Sequence, residues 1–329
     1  MQLQSGDQRK HCELKFVRYE PSRWEDTWRE HVSEWSSDEL ELCRRMVNDI
    51  DKVRLWETGA EHSQKGCGLL DPALSHSPHV FSRFVYEDTC TGQTVETYIE
   101  PLAGLTRHPR ALCMDRFPRR SKNINRGYIV LGQSADACGP CHARARSALR
   151  NVPSAAPRRL LVFDLGASLY SSGPGGNSQK WFVESYARHG LPVSEYYAWE
   201  AAPLDSAKVW AQIPEWLKPT YHWHNVPADP APESENNPWD VLRAVAAPED
   251  YVVVKLDIDN TEVEERFMAE MRGDARLRAL VDEMFFEHHV NVPIMWRYWG
   301  TQGERVYLND TYAMVQELRS EGIRFHSWP

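Results

Sequence analysis

The sequence predicts an α/β protein, with a doubly wound parallel sheet over residues 155–329 and an N-terminal α+β extension over residues 1–154. Three observations predict this division. From residue 160 onward, short apolar segments alternate with segments of helical length, as in consecutive β-α-β units. Before residue 160, the helical and hairpin patterns do not alternate in this way. Between the two halves lies SAAPRR, a stretch with the composition of a linker.

The extension is predicted to begin with two helices between residues 21 and 56. Ser22, with Glu25 three positions later, fits a capping box, in which each side chain bonds the backbone N–H of the other residue. Apolar residues then recur at helical spacing and predict a buried helix face. These residues are Trp24, Trp28, Val32 and Trp35.

The rest of the extension is predicted to hold a hairpin and a short strand. Residues 80–102 flank the turn TCTG and predict a β-hairpin, and residues 127–132 predict one more strand. Between them, the basic stretch 107–126 predicts a solvated loop, with contact to an anionic substrate as the alternative.

Six strands with helices between them are predicted in the C-terminal half. Their segments are, in chain order, LLVFDLG, VSEYYAWE, TYHWHNV, YVVVKLDID, the end of RLRALVDEMFFEHH, and IRFHSW. Helix signals separate them, such as Gly190 after the first helix and Asn237-Pro238 at the start of a later one. This order predicts a Rossmann-like sheet with helices on both faces.

Polar residues follow four of these strands and form the candidate site, because ligands of doubly wound sheets bind at the carboxyl ends of the strands. They are Asp164, Gly166, Ala167 and Ser168 after the first strand, Glu200 after the second, Lys255, Asp257 and Asp259 after the fourth, and Glu287, His288 and His289 after the fifth. Gly166 has no Cβ, so the backbone there is expected to approach a cofactor closely. Glu200 is expected to accept hydrogen bonds from both hydroxyls of a ribose.

Four segments in this order resemble the S-adenosylmethionine-dependent methyltransferases of the FkbM-like group. The segments are FDLGAS, YYAWEAAP, VVVKLDIDNTEVE and FFEHH. That family carries an Asp-x-Gly-Ala-Asn loop, an acidic residue followed by Pro after the second strand, Lys-x-Asp-x-Glu-Gly-x-Glu after the fourth strand, and Glu-x-His after the fifth. The resemblance covers residues 160–329, about half of the chain, and implies a class I methyltransferase sheet.

The resemblance implies a role for each matching residue. The implied cofactor-binding residues are Asp164, Gly166, Ala167, Ser168 and Glu200, with Ser168 where the family has Asn. The matches to the later motifs are Lys255, Asp257 and Glu262 in the third, and Glu287 with His289 in the last. Asp259 and Asn260 replace the family's Glu and Gly, and SSGPGG lengthens the first loop. These departures bear on substrate choice and activity more than on the fold.

The implied activity is transfer of a methyl group from S-adenosylmethionine to an oxygen, or less favourably a nitrogen, of a small molecule or sugar. In-line methyl transfer often needs a base for the acceptor's proton. The predicted catalytic residues, as base or as groups that position the acceptor, are Asp257, Asp259, Glu287 and His289. No metal is predicted, and the extension is expected to cover the cleft and shape the acceptor pocket.

Two other functions remain open at this stage. Asp257-Ile258-Asp259 after an apolar strand also fits the metal site of nucleotide-sugar glycosyltransferases, with Glu287 and His289 as further ligands. Paired carboxylates suit a hard cation that bridges phosphates. The unusual loop after Gly166 would alternatively fit a methyltransferase-like fold that only binds a ligand.

Composition narrows the partners and the location. A net charge of -9 disfavours general nucleic-acid binding, and no apolar run reaches the roughly 18 residues that span a bilayer. The N-terminus lacks the apolar stretch of a signal peptide, so a cytoplasmic protein is predicted. Seven cysteines, an odd number, predict reduced thiols, including the pair Cys138 and Cys141. His222 and His224 are predicted to be structural, and the oligomeric state is not predicted.

Overall fold

The computed structural model describes residues 14–65, 79–107, 113, 126–132, 159–171 and 178–329. Its N-terminal part holds a three-stranded antiparallel sheet and three helices. The strands are β1 (Leu14–Glu20), β2 (Ser82–Asp88) and β3 (Thr94–Ile99), and the helices are α1 (Arg23–Trp35), α2 (Glu39–Asn48) and α3 (Ile50–Lys65). The predicted hairpin is confirmed as β2–β3, whereas β1, which pairs with β2, is a strand that the sequence pattern did not predict.

The two predicted helices between residues 21 and 56 are three in the structure. The Asp38 side chain accepts from the first N–H groups of α2, and Asp49 ends that helix before α3 begins. The predicted face of α1 is confirmed, because its tryptophans and Val32 are all buried.

The predicted capping box is only half formed. Ser22 Oγ accepts from the Glu25 N–H, but the Ser22 N–H donates to Ser82 Oγ. The buried Glu25 carboxylate accepts instead from Tyr19, Ser82, the Leu102 N–H and Arg319. Glu25 therefore ties α1 to β2 and to a C-terminal helix.

The strand predicted at residues 127–132 is wrong, since this segment is an irregular buried loop. Side chains satisfy its backbone groups, so that it needs no strand neighbour. The Val130 N–H donates to Glu100, the Gly132 N–H donates to Glu283, and the Tyr128 carbonyl accepts from Trp56.

The C-terminal part is a six-stranded parallel sheet in the order β6-β5-β4-β7-β8-β9, flanked by helices. The strands are β4 (Leu160–Leu165), β5 (Val193–Trp199), β6 (Tyr221–His224), β7 (Tyr251–Leu256), β8 (Glu283–Phe286) and β9 (Arg324–Ser327). The helices are α4 (Ser178–Arg188), α5 (Ser206–Gln212), α6 (Pro238–Val245), α7 (Thr261–Gly273), α8 (Ala275–Arg278), α9 (Trp296–Trp299) and α10 (Leu308–Ser320). The prediction of a doubly wound, Rossmann-like α/β sheet is confirmed at this level.

The strand order fixes where a ligand would bind. The chain moves outward from β4 to β6 and then returns to place β7 on the other side of β4. The order therefore reverses between β4 and β7, and the crevice at their carboxyl ends is the usual ligand site of such sheets.

The two halves share one hydrophobic core and a buried polar network. His326 of β9 lies between two carboxylates, with Nδ1 at 2.5 Å from Glu100 and Nε2 at 2.7 Å from Glu283. Burial disfavours the imidazolium, but the carboxylates of Glu100 and Glu283 raise the pKa of His326. Arg324 adds hydrogen bonds to the β3 residues Thr97 and Tyr98. The extension is thus joined to the β9 edge of the sheet.

The expectation of reduced thiols is wrong for three cysteines. Cys43 and Cys113 form a disulfide with Cα atoms 5.6 Å apart, and Cys90 is disulfide-bonded as well. Such bonds are typical of oxidising compartments, so they argue against the cytoplasmic location, which stays a prediction. Cys138 and Cys141 lie outside the described residues.

Across the part of the chain that the structure describes, we find no helix with the length and apolar character needed to pass through a lipid bilayer.

Removing the disulfide should destabilise the protein. The bond closes a loop with a sequence separation of 70, and such a cross-link typically contributes about 2–4 kcal/mol. We expect the double variant Cys43→Ser/Cys113→Ser to lose about that much in urea unfolding under non-reducing conditions. Free thiols at Cys43 and Cys113 in a non-reducing peptide map of the wild type would contradict this pairing.

Candidate functional site

The loop after β4 lies against the end of β5. The Gly166 and Ala167 N–H groups both donate to the Trp199 carbonyl, at 3.0 and 2.9 Å. The next N–H, of Ser168, donates to Glu200 Oε2 at 2.8 Å. The two positions that the sequence analysis predicted to hold one nucleoside, Gly166 and Glu200, therefore lie side by side at the sheet crevice.

Gly166 is required by the protein's own packing. Its φ is +82°, and a Cβ there would lie 1.7 Å from the Asp257 carbonyl oxygen. Glycine is the residue that tolerates both this backbone conformation and this contact. The close approach predicted toward a cofactor is thus made first toward the backbone that follows β7.

The Lys255 ammonium joins the ends of β4 and β7. It is almost fully buried and lies 3.0 Å from Asp164 Oδ1 and 3.3 Å from Asp257 Oδ2. It also donates to the Gly166 carbonyl at 2.8 Å. Burial disfavours its charge, but Asp164 and Asp257 raise the pKa of Lys255. The loop that begins at Gly166 is therefore anchored by a charged group.

Asp164 faces this ammonium and not the crevice. Its side chain is fully buried, and its second oxygen accepts from the Tyr196 hydroxyl at 2.6 Å. With one oxygen beside Lys255 and the other bonded to Tyr196, Asp164 supports the loop from below. This burial argues against the direct cofactor contact that the resemblance implies for Asp164.

The Glu200 carboxylate is half-buried and oriented by two backbone groups. Oε2 accepts from the Ser168 N–H, and Oε1 accepts from the Ala202 N–H at 2.7 Å. A carboxylate has about four lone-pair positions, so two remain for further donors. Gln179 of α4 holds the loop from the opposite side, donating to the Ala167 and Ser168 carbonyls.

The backbone at Ser168 has a conformation that suits the Asn found at this position in the resembling family. Its φ is 53°, in the left-handed region that Asn tolerates better than most residues. Asp259 has a similar φ of 56° and belongs to the short polar residues that accept this conformation. Both positions are local strain points beside the crevice.

The four predicted catalytic residues form one cluster at the ends of β7 and β8. His289 Nε2 lies 3.7 Å from Glu287 Oε2 and 3.9 Å from Asp259 Oδ1. One oxygen atom of Asp259, one oxygen atom of Glu287 and one nitrogen of His289 all lie within 4.8 Å of one another. Asp257 adjoins this group and links it to Lys255.

Burial and neighbouring charges shift the pKa values of Asp257 and Glu287 in opposite directions. Burial raises the pKa of Asp257 to about 7, with a further contribution from the Glu287 charge and opposition from Lys255. For Glu287 burial acts the same way, but the Arg107 guanidinium and the neighbouring His289 hold its pKa below the usual range. Glu287 is therefore ionised near neutral pH, and Asp257 is the acid of this pair that takes up a proton more readily.

Several residues at the site were missed by the sequence analysis. Glu264, two residues after the predicted Glu262, is buried with its Oε2 3.4 Å from His289 Nδ1, and burial raises its pKa to about 7. Glu262 is exposed on the first turn of α7. Helical spacing could have indicated Glu264. Thr261, whose hydroxyl contacts His289, begins this helix, and a residue three positions later lies on the same helix face.

Two arginines from the extension also reach the site. Arg107 donates to Glu287 Oε1 at 2.8 Å, and Arg126 is buried with its guanidinium 4.2 Å from the Trp328 ring centre. Burial lowers the pKa of Arg126, while Asp257 and Asp164 oppose this. These residues end the basic stretch 107–126, most of which lies outside the described residues. At its two ends the expectation of a solvated loop is wrong, because Arg107 and Arg126 are buried. The alternative, contact with an anionic substrate, stays a prediction.

The remaining histidines near the strand ends have structural contacts. His288 is bonded to Glu265 and Thr311. The rings of His222 and His224 stack on Tyr197 and Trp199 of the neighbouring strand, at 4.3 and 4.5 Å.

Comparison with known proteins gives no further guide. No protein-family model, no curated protein and no solved structure matches this chain.

Substituting Gly166 should separate a steric clash from backbone strain. Gly166→Ala places a Cβ against the Asp257 carbonyl, and we expect a loss of more than about 3 kcal/mol in unfolding free energy. The control is Gly92→Ala, since Gly92 has a φ of +67° but nothing within 4 Å of its Cβ position. That variant should lose only about 1–2 kcal/mol. Equal losses in the two variants would contradict the close contact.

Removing the Lys255 charge should strongly destabilise the protein. Lys255→Met leaves Asp164 buried without its cation, and breaking such a buried pair typically costs about 3–5 kcal/mol. Adding Asp164→Asn should restore part of this loss, because the uncompensated charge is gone. Chemical denaturation of the two single variants and the double variant measures the coupling. Strictly additive losses would refute a direct Lys255–Asp164 interaction.

Proposed function

We propose that this protein is an S-adenosylmethionine-dependent methyltransferase that modifies an oxygen of a small molecule or sugar. The observation that carries the proposal is the hydrogen bond between the Ser168 N–H and the Glu200 carboxylate, next to Gly166. It unites the loop after the first strand of the sheet with the acid after the second, at the point where the strand order reverses. That is the arrangement in which a nucleoside ribose is bound in doubly wound sheets.

The residues present fit the adenosyl group. Glu200 is half-buried, is held in one orientation by the N–H groups of Ser168 and Ala202, and retains lone pairs for ribose hydroxyls. Ala167 is buried under the same loop, and Gln179 fixes the carbonyls on its inner side. A prepositioned acceptor of this kind binds hydroxyl groups with little loss of conformational entropy.

When bound, S-adenosylmethionine would supply an electrophilic methyl group on its sulfonium. The protein's task is then to hold the acceptor in line and to accept its proton. The Asp257 backbone lies against Gly166, and 22% of the Asp257 side chain is exposed. We assign it the position next to the reacting groups, with Lys255 holding one of its oxygens.

The glycosyltransferase alternative is less well supported. It needs Asp257 and Asp259 to face one cation together, whereas Asp257 Oδ2 lies 3.3 Å from the Lys255 ammonium. A fold that only binds a ligand would keep the Glu200 contact but would not need four ionisable groups beside it. Neither alternative accounts for both clusters as well as methyl transfer does.

A ribose-specific binding cycle tests the role of Glu200. Wild-type protein should bind S-adenosylhomocysteine by isothermal titration, and its 2′-deoxyribose analogue at least about 10-fold more weakly, since a charge-assisted hydrogen bond contributes about 1.5–3 kcal/mol. In Glu200→Ala the two ligands should bind with nearly equal, reduced affinity, because the discriminating carboxylate is gone.

The control is Glu215→Ala, which removes an exposed carboxylate that pairs with Lys218. It should keep the wild-type preference for the ribose ligand. Unchanged discrimination in Glu200→Ala would remove Glu200 from the site. Absence of binding, together with binding of a nucleoside-diphosphate sugar in the presence of Mn²⁺, would favour the glycosyltransferase.

A further inference from the structure

One nitrogen of His289 is buried without a hydrogen-bond partner among the residues that the structure describes. The His289 side chain is fully buried, and its Nε2 neither donates to nor accepts from any group in that part of the chain. Buried polar atoms in proteins are nearly always bonded, so an open one calls for an explanation. The atom faces the carboxylates of Glu287 and Asp259, at 3.7 and 3.9 Å, beyond hydrogen-bond distance.

The other nitrogen of the same ring is held in place. His289 Nδ1 lies 3.1 Å from Thr261 Oγ1 and 3.4 Å from Glu264 Oε2. Histidines that bind metals usually have one nitrogen fixed by a carboxylate or another oxygen, which orients the ring and leaves the other nitrogen for the metal. Thr261 and Glu264 occupy that supporting position.

Glu287 is oriented by the same logic. Its Oε1 accepts from Arg107 at 2.8 Å and from Trp299 Nε1 at 3.3 Å. These bonds turn Oε2 toward His289 and leave it available to the cluster. Asp259 supplies the third atom from a backbone held by a hydrogen bond between Gln302 and the Asp259 carbonyl.

We propose that Asp259, Glu287 and His289 bind one divalent transition-metal cation. The three ligand atoms lie within 4.8 Å of one another, and ligand atoms about 2.0–2.2 Å from a metal lie about 3–3.5 Å apart. The exposed Asp259 side chain has the freedom to close this difference. A site of two carboxylates and one imidazole suits Mn²⁺, Fe²⁺ or Zn²⁺ better than it suits Ca²⁺, because Ca²⁺ prefers ligands that are all oxygen atoms. Asp257 is not assigned as a metal ligand, because its Oδ2 lies 3.3 Å from the Lys255 ammonium.

The cation deepens the proposed function, and this part of the inference rests on it. Three protein ligands leave coordination positions open, and a hydroxyl oxygen of the acceptor would occupy one of them. A cation lowers the pKa of such an oxygen, so its O–H bond breaks more readily. The acceptor's proton would pass to Asp257 or water, its oxygen would form the bond to the methyl group, and the electron pair of the broken S–CH₃ bond would stay on sulfur. The acceptor is therefore an alcohol or phenol rather than an amine.

The experiment measures Mn²⁺ alone, without any cofactor. Electron paramagnetic resonance of the full-length protein titrated with Mn²⁺ should show one bound ion, with magnetic coupling to one ¹⁴N nucleus. Asp259→Asn should weaken binding at least about 10-fold, since loss of a ligand exceeds the effect of losing a supporting group. His289→Gln should abolish the nitrogen coupling. Glu262→Gln, three positions from Asp259 and exposed, is the matched control and should bind as the wild type does.

Each outcome bears on the site independently of methyl transfer. No stoichiometric Mn²⁺, equal affinity in Asp259→Asn, or a bound ion without nitrogen coupling would overturn the metal site. Because Asp259 is exposed, its variant tests the proposal even if His289→Gln fails to fold. Mn²⁺ binding without S-adenosylhomocysteine binding would keep the metal site and remove the proposed function. The opposite result would keep the methyltransferase and remove the metal.

Discussion

The Lys255 ammonium, buried between Asp164 and Asp257, is the interaction on which the candidate site depends. It joins the ends of two neighbouring strands and donates to the Gly166 carbonyl, which begins the loop above them. A charge in this position is costly to bury, and it is retained because each of its donors has an acceptor. With Lys255 in place, the loop can approach the Asp257 backbone so closely that only glycine fits at its first position.

Two clusters diverge from this anchor. On one side the Ser168 N–H binds Glu200 and forms the nucleoside half of the proposed site. On the other side Asp257 leads to Glu287 and His289, where acid-base chemistry or a cation would act. The N-terminal extension contributes to this second cluster, because Arg107 orients the Glu287 carboxylate through a hydrogen bond. The site is therefore a product of both halves of the chain, although the resemblance to a known family covers only one.

Local patterns sufficed for most of the C-terminal fold. Short apolar segments and helix caps such as Asn237 are short-range signals, and the sheet follows from the alternation of strands with helices. The errors have long-range causes. Residues 127–132 read as a strand because they are apolar, but Glu100 and Glu283, distant in sequence, satisfy their backbone. The disulfide from Cys43 to Cys113 likewise joins positions that no local pattern connects.

The position of the candidate site in the sheet was predictable from the sequence, but the contacts between its side chains were not. Strand ends indicated Gly166, Glu200, Asp257 and His289, since topology alone brings them to one edge. Glu264, rather than the predicted Glu262, lies beside His289, because the orientation of the helix decides which of its side chains face the site. Arg107 reaches Glu287 only through the packing of the two halves of the chain.

The most direct test of the proposed function is a crystal structure of the protein with S-adenosylhomocysteine. The account predicts ribose hydroxyls within about 3 Å of the Glu200 carboxylate and the sulfur facing Asp257. A nucleoside bound away from the Gly166 loop would contradict it.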